Sequence, residues 1–136
     1  MKIKTENIFQ ITELEVPVSK VYKTLLDSKR HTAFSGMATH IDGRVGGAFN
    51  TFDGAATGSI LELVKDRRIV LSWRHRDFPE GLHTIIHIDL EKTESGVRLN
   101  FNHIGVPEAS CGWLTESWRK TYWNRLKEFL EEEVLH

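Results

Sequence analysis

From Met37 to Ile104, apolar and polar side chains alternate with a period of two. That is the mark of half-buried strands. Six strands are predicted there, at 37–42, 47–53, 58–64, 68–76, 83–91 and 97–104. Turn-forming residues separate them: Asp53-Gly54, Lys65-Asp66-Arg67, Pro79-Glu80-Gly81 and Glu94-Ser95-Gly96. Residues 5–15 carry Ile8, Phe9, Ile11 and Leu14, an imperfect strand pattern that Pro17 ends. Ser19 is placed to cap a short helix with the stripe Val21, Tyr22, Leu25 and Leu26. Residues 31–36 read as a turn or a second brief helix. Near the C-terminus, Leu114, Trp118, Tyr122, Leu126 and Phe129 recur at spacings of four, four, four and three. They predict one long amphipathic helix over 112–134.

Side-chain faces also predict strand pairing. Joining 68–76 to 83–91 with Trp73 opposite Ile86 places Leu71 by Ile88, Ile69 by Leu90 and His75 by Thr84. Every large apolar pair then falls on one face, and Arg74, Arg76, His83, His87 and Asp89 on the other. Joining 58–64 to 68–76 places Leu63 by Ile69, Leu61 by Leu71 and Ser59 by Trp73. Val97, Leu99, Phe101 and His103 join the same inward set. Seven antiparallel strands with a C-terminal helix across one face satisfy this order, an α+β architecture.

The length of 136 residues predicts a single domain over 1–136. The net charge of -1 gives no basic excess, so nucleic acid and anionic membrane surfaces are not expected partners. The single cysteine, Cys111, forms no internal disulfide and no cysteine-based zinc site. The first residues lack a signal-peptide apolar stretch, and the longest apolar run is Ile69-Val70-Leu71. A cytoplasmic location is the expectation.

Among the seven histidines, His83 and His87 share an outward strand face with Asp89, and His31, His40 and His136 lie elsewhere. No three ligands converge, so neither a metal nor a cofactor is expected. His75 and His103 should face inward. Two readings stand for them: hydrogen-bonded histidines at a pocket rim, or groups that orient a ligand or move a proton. There is no nucleophile elbow and no phosphate-binding glycine loop, and no catalytic residue is assigned. Trp118, Tyr122 and Phe129 read as core. Trp123, at the flank of the stripe, reads as part of a partner surface, and Cys111 as a small residue before the helix.

Several strings then resemble a known family. They are Phe34-Ser35-Gly36, Gly46-Gly47-x-Phe49, Phe52-Asp53-Gly54 and Gly58-x-x-Leu61-Glu62-Leu63. They continue with Arg68-Ile69-Val70-x-Ser72-Trp73-Arg74, Pro79-x-Gly81, Gly105-Val106-Pro107, Gly112-Trp113 and Tyr122-Trp123. In this order they resemble the family named after the C-terminal domain of the activator of heat shock protein 90 ATPase, within the START-like (SRPBCC, birch-pollen-allergen-like) superfamily. The resemblance runs from about Glu13 to Leu130. It implies a helix-grip fold: a curved antiparallel sheet wrapped around a long C-terminal helix, with a cavity between them. Single-domain members resemble bacterial proteins.

The leading expectation is a small, mostly apolar ligand held between sheet and helix. Its pocket would be lined by Trp73, His75, Ile86, Phe101, His103, Trp118 and Tyr122, with a histidine fixing the ligand's orientation. One alternative, implied by the resemblance, is a stress-response module that contacts a heat shock protein 90 chaperone. A second alternative is a cyclase- or hydrolase-type enzyme using the inward histidines.

Overall fold

The computed structural model describes residues 3–135. In chain order the elements are β1 (Thr5–Leu14), α1 (Val18–Leu26), α2 (Ser28–Ser35), β2 (His40–Ile41), β3 (Ala48–Thr51), β4 (Ala56–Val64), β5 (Arg68–His75), β6 (Thr84–Lys92) and β7 (Val97–Pro107). The C-terminal helix comes next as α3 (Glu108–Ser117), a π-helical segment (Trp118–Trp123) and α4 (Asn124–Leu135). The strands form one antiparallel sheet in the order β1-β7-β6-β5-β4-β3-β2. The C-terminal helix crosses its inner face. This is the expected α+β helix-grip arrangement, with a seven-stranded curved sheet around the helix.

Alternation places the inner-face residues correctly across most of the sheet. Ile69, Trp73, Ile86, Ile88, Leu99 and Phe101 are buried, and Leu71 is half-buried. Leu114, Trp118, Tyr122 and Leu126 cover them from the helix.

Two details of register differ. Trp73 pairs with Thr84, Leu71 with Ile86 and Ile69 with Ile88, a slip of two residues from the predicted pairing. A two-residue slip keeps every side chain on its face, so alternation alone does not detect it. The β5–β6 loop sets the choice. The Arg74 guanidinium donates to the carbonyls of Phe78, Pro79 and Leu82, and so ties the loop down.

The second difference is a β-bulge in β4. Leu63 pairs with Ile69 as predicted, but the register shifts between Glu62 and Ile60. Ile60 therefore meets Leu71, and Leu61 turns outward, 46% exposed. One extra residue in one strand moves all the residues beyond it by one position. Gly58 rather than Ser59 then lies opposite Trp73. A Cβ at Gly58 would run into the Ser72 carbonyl and the Phe49 ring, so this close approach requires glycine.

The predicted strand 47–53 ends early because Phe52 and Asp53 adopt positive φ, 53° and 55°. Such values are uncommon without a glycine. The Phe52 ring is held by Trp73, Trp118 and Tyr122, with centroids 5.8, 5.4 and 6.2 Å away. The Asp53 carboxylate accepts from the Ala38 amide at 2.7 Å. The predicted strand 37–42 reduces to two residues, and the brief helix at 31–36 is the end of α2. Helix α1 begins at Val18 with Pro17 as its N-cap, so Ser19 lies inside the first turn rather than capping it.

Candidate functional site

The two inward histidines are both committed to the protein itself. His103 is fully buried. Its Nδ1 accepts from the Trp118 indole N–H at 3.1 Å. Its Nε2–H therefore donates to Thr84 Oγ1, 2.7 Å away, and the Thr84 hydroxyl donates to the Trp73 carbonyl at 2.9 Å. Each group in this relay finds its partner, and burial lowers the His103 pKa to about 3. His75 sits at the end of β5. Its Nδ1 accepts from the Asp77 amide at 3.1 Å, and its ring meets the edge of Trp113 at 4.8 Å. Burial lowers its pKa as well.

A cavity of about 40 Å³ lies between the sheet and the C-terminal helix. Trp73, Ile86, Phe101, Trp118 and Tyr122 line it, five of the seven residues predicted from the sequence. His75 and His103 do not. The two-residue register slip moves Thr84 opposite Trp73, where it takes up His103, and leaves His75 at the strand end.

The polar element of the wall is instead His31, from α2, which sequence reasoning set aside. His31 is 3% exposed, and its Nε2 is hydrogen-bonded to the Tyr122 hydroxyl. Burial holds the His31 imidazole down to about pKa 4 and pushes the Tyr122 phenol well up, so both are neutral at pH 7. His31 Nδ1 is buried with no partner among the described residues.

Helix α2 is fixed by its neighbours. The Asp27 carboxylate caps it through the Arg30 amide at 2.9 Å. The Arg30 guanidinium grips Glu133 of α4 in a two-bond fork, at 3.0 and 2.8 Å, and donates to Thr24 Oγ1 at 2.9 Å. Removing this clamp with Arg30→Ala should cost about 1–2 kcal/mol, readable by urea unfolding. An unchanged urea midpoint would show that the clamp does not hold α2.

The π-helical segment builds the facing wall. Its turns are wider than α-helical turns because each bond spans five residues. Residues four and five apart therefore straddle one face, and Trp118, Tyr122 and Trp123 all point inward. Tyr122 meets Trp118 and Trp123 edge-on, at 5.0 and 4.6 Å. Trp123 is 1% exposed and lines the cavity. The expectation that it forms a partner surface is thus corrected: the wide turn swings it inside. Its indole N–H is buried with no partner among the described residues. Cys111 lies within α3, and burial raises its thiol pKa.

The remaining lining is apolar apart from Thr51: Leu25, Leu26, Ile41, Phe49, Ile60, Ile69, Leu71 and Ile88. No Lys, Arg, Asp or Glu side chain takes part. Leu26, Ile41 and Leu71 are its half-buried members. Among the described residues, no three His, Cys, Asp or Glu side chains come together as a metal site, and no helix is long and apolar enough to cross a membrane.

The family model of activator of Hsp90 ATPase homolog 1-like proteins matches residues 15–131. The chain belongs to this family. Among curated relatives of this family member is mouse activator of 90 kDa heat shock protein ATPase homolog 2. It is 27% identical over 122 residues, which cover 89% of this chain and 37% of the mouse protein. A Schizosaccharomyces pombe protein is 30% identical over 105 residues, covering 77% of this chain and 31% of its own length. The chain thus spans about a third of the length of the curated relatives it matches. Among solved structures, an HSP90 activator from Plasmodium falciparum superposes with a TM-score of 0.86 at 22% identity, covering 92% of this chain and 96% of that one. That similarity establishes the fold.

Proposed function

We propose that this family member binds a small, mostly apolar molecule in the cavity between β-sheet and π-helical segment. The observation that carries this reading is the cavity itself, set inside an otherwise closely packed aromatic core. A void of about 40 Å³ costs about 1 kcal/mol relative to a filled core. Phenylalanine in place of Leu25, Leu71 or Ile60 would fill much of it. Instead the wall combines aliphatic and aromatic surface with one imidazole–phenol pair, the usual make-up of a small-molecule site. The void as it stands holds little more than one water molecule, so any organic ligand enters only as the half-buried Leu26 and Ile41 move aside.

Native mass spectrometry of freshly purified protein tests this directly. A co-purifying small molecule, displaced by added apolar compounds, is the expected result. Failure of every small apolar compound to bind or to raise the melting temperature would reject the reading.

A second reading is a surface contact with a heat shock protein 90 chaperone. It is favoured by the relatives named as activators of that ATPase and by the Plasmodium falciparum activator of matching extent. Stimulation of a heat shock protein 90 ATPase by the 136-residue chain at micromolar concentration would support it. The cavity reading expects weak stimulation or none.

A further inference from the structure

The two edges of the sheet differ. At one end, β2 is two residues long, too short to template another strand. At the other end, β1 runs for ten residues, and no proline interrupts it. Its central stretch, Asn7 to Thr12, carries no charge. Phe9 and Ile11, on the outer face, are 60% and 53% exposed.

The hydrogen-bond ladder identifies the free backbone groups of β1. The Leu90 N–H donates to the Arg67 carbonyl at 2.8 Å, one step beyond the Arg68–Asp89 pair. In an antiparallel ladder, pairs that exchange hydrogen bonds alternate with pairs that do not. Ile69–Ile88 and Leu71–Ile86 therefore exchange them, which turns the His87 and Asp89 backbone toward β7. Asn102 and Asn100 meet these two, so Phe101 and Leu99 turn toward Gln10 and Thr12 of β1. Phe9, Ile11 and Glu13 are left with N–H and C=O directed away from the sheet. The C-terminal helix agrees with this. Lys127 Nζ donates to the Glu13 carbonyl from that side at 2.6 Å, and Glu131 Oε2 accepts from the Glu15 N–H at 2.9 Å. Those two contacts cover the end of the edge. No hydrogen-bond partner among the described residues reaches the Phe9 and Ile11 backbone.

We propose that this edge pairs with the same edge of a second copy, β1 against β1, antiparallel about a two-fold axis at Gln10. Phe9 then stands opposite Ile11 of the second copy, and Ile11 opposite its Phe9. Each such pair exchanges both backbone bonds, and the apolar side chains of both copies gather on one outer face. A one-residue shift sets free backbone groups against groups already spent on β7. A two-residue shift sets Phe9 against Glu13, whose carbonyl Lys127 holds, or Ile11 against Asn7. A second copy is favoured over an unrelated strand because this stretch matches itself, as a two-fold interface requires. The net charge of -1 creates little repulsion between copies. Covering Phe9 and Ile11 buries far less than the roughly 2,000 Å² of a permanent interface. The dimer is therefore weak and forms as concentration rises.

Sedimentation equilibrium and amide hydrogen exchange on the 136-residue chain, from about 10 µM to about 1 mM, test the pairing. The mass should rise from 15.7 kDa toward twice that value. The Phe9 and Ile11 amides should gain at least about tenfold protection over the same range. The Gln10 and Thr12 amides, bonded to β7, should be protected throughout. Ile11→Lys places like charges on either side of the axis and should weaken the dimer at least about tenfold. Ile11→Pro removes one edge donor and should abolish pairing while leaving the β1–β7 bonds in place. Ile11→Lys changes only an exposed side chain, so it decides the matter if the proline variant fails to fold.

A chain that stays at 15.7 kDa up to the highest concentration overturns the proposal. So does a dimer whose Phe9 and Ile11 amides stay unprotected, because it uses another face. Protection that appears only on adding a heat shock protein 90 chaperone would give the edge to that partner, and would also overturn it.

Discussion

Trp118→Ala should destabilise the fold by about 3–5 kcal/mol, the range for deleting a large buried aromatic side chain. Trp118 is 3% exposed and joins both halves of the interior. Its ring lies 5.4 Å from Trp73 and 4.8 Å from Phe101 on the sheet side, and 5.0 Å from Tyr122 on the helix side. Its indole N–H also holds His103 Nδ1, so truncation leaves that buried acceptor unpaired. The unpaired nitrogen adds about 1 kcal/mol or more to the cost of the lost contacts. Urea unfolding monitored by far-UV circular dichroism reads the total. Trp118→Phe narrows the comparison, because it keeps a six-membered aromatic ring and removes the N–H together with the rest of the pyrrole ring. Its expected cost is about 1–3 kcal/mol. Trp118 also lines the cavity, so the Ala variant should take up larger apolar compounds than wild type. A loss below about 1 kcal/mol for Trp118→Ala would mean that the aromatic cluster is not what holds helix to sheet.

The legible part of this molecule is the part that obeys strict periodicity. Alternation assigns Trp73, Ile86 and Phe101 to the inner face because each step along a strand reverses the side chain. It misplaces Leu61 because a bulge breaks that alternation within β4, and no residue in Ile60-Leu61-Glu62 announces it. The β5–β6 register is off by two because apolar pairing is satisfied equally well at either position, and the choice rests on Arg74 and three loop carbonyls.

The cavity is legible on its sheet and helix walls and illegible at its polar point. His31 falls in a segment with weak helical patterning, and nothing local directs it to Tyr122, ninety-one positions away. One signal was available: His31 and Phe34 stand three apart, on one side of a helical turn, beside the Phe34-Ser35-Gly36 string. Trp123 is hidden for a different reason. A regular α-helix turns it about 140° from Trp118, five residues earlier, and only the wider π-helical turn sets Tyr122 and Trp123 on either side of the face that Trp118 occupies.

Stability should fall steeply as pH drops from about 6.5 toward 4, through two buried neutral histidines. In the folded chain, burial holds His31 at about pKa 4 and His103 at about 3. Unfolding returns each to the ordinary value near 6.5. Between those limits the unfolded chain binds more protons than the folded one, so acid favours unfolding. With both groups in their window, the slope approaches about 2.7 kcal/mol per pH unit, two protons' worth. Below about 4 the folded His31 begins to take up its own proton and its share of the slope ends. His75, whose pKa is also lowered, acts in the same sense nearer the surface. Glu133 acts in a separate, more acidic range. Arg30 and Lys20 hold its carboxylate down to about 2, so its contribution is present above pH 4.5 and is lost only as the pH falls below that. Urea midpoints measured from pH 7.5 to 4.5 read the histidine term without it. His31→Phe should lower the slope by about one proton, about 1.4 kcal/mol per pH unit, and imidazole NMR titrations should show both rings neutral at pH 5.5 in the folded wild type. Stability that stays flat from pH 7 to 5 would mean that neither imidazole is held neutral, and a slope unchanged in His31→Phe would remove His31 from the account.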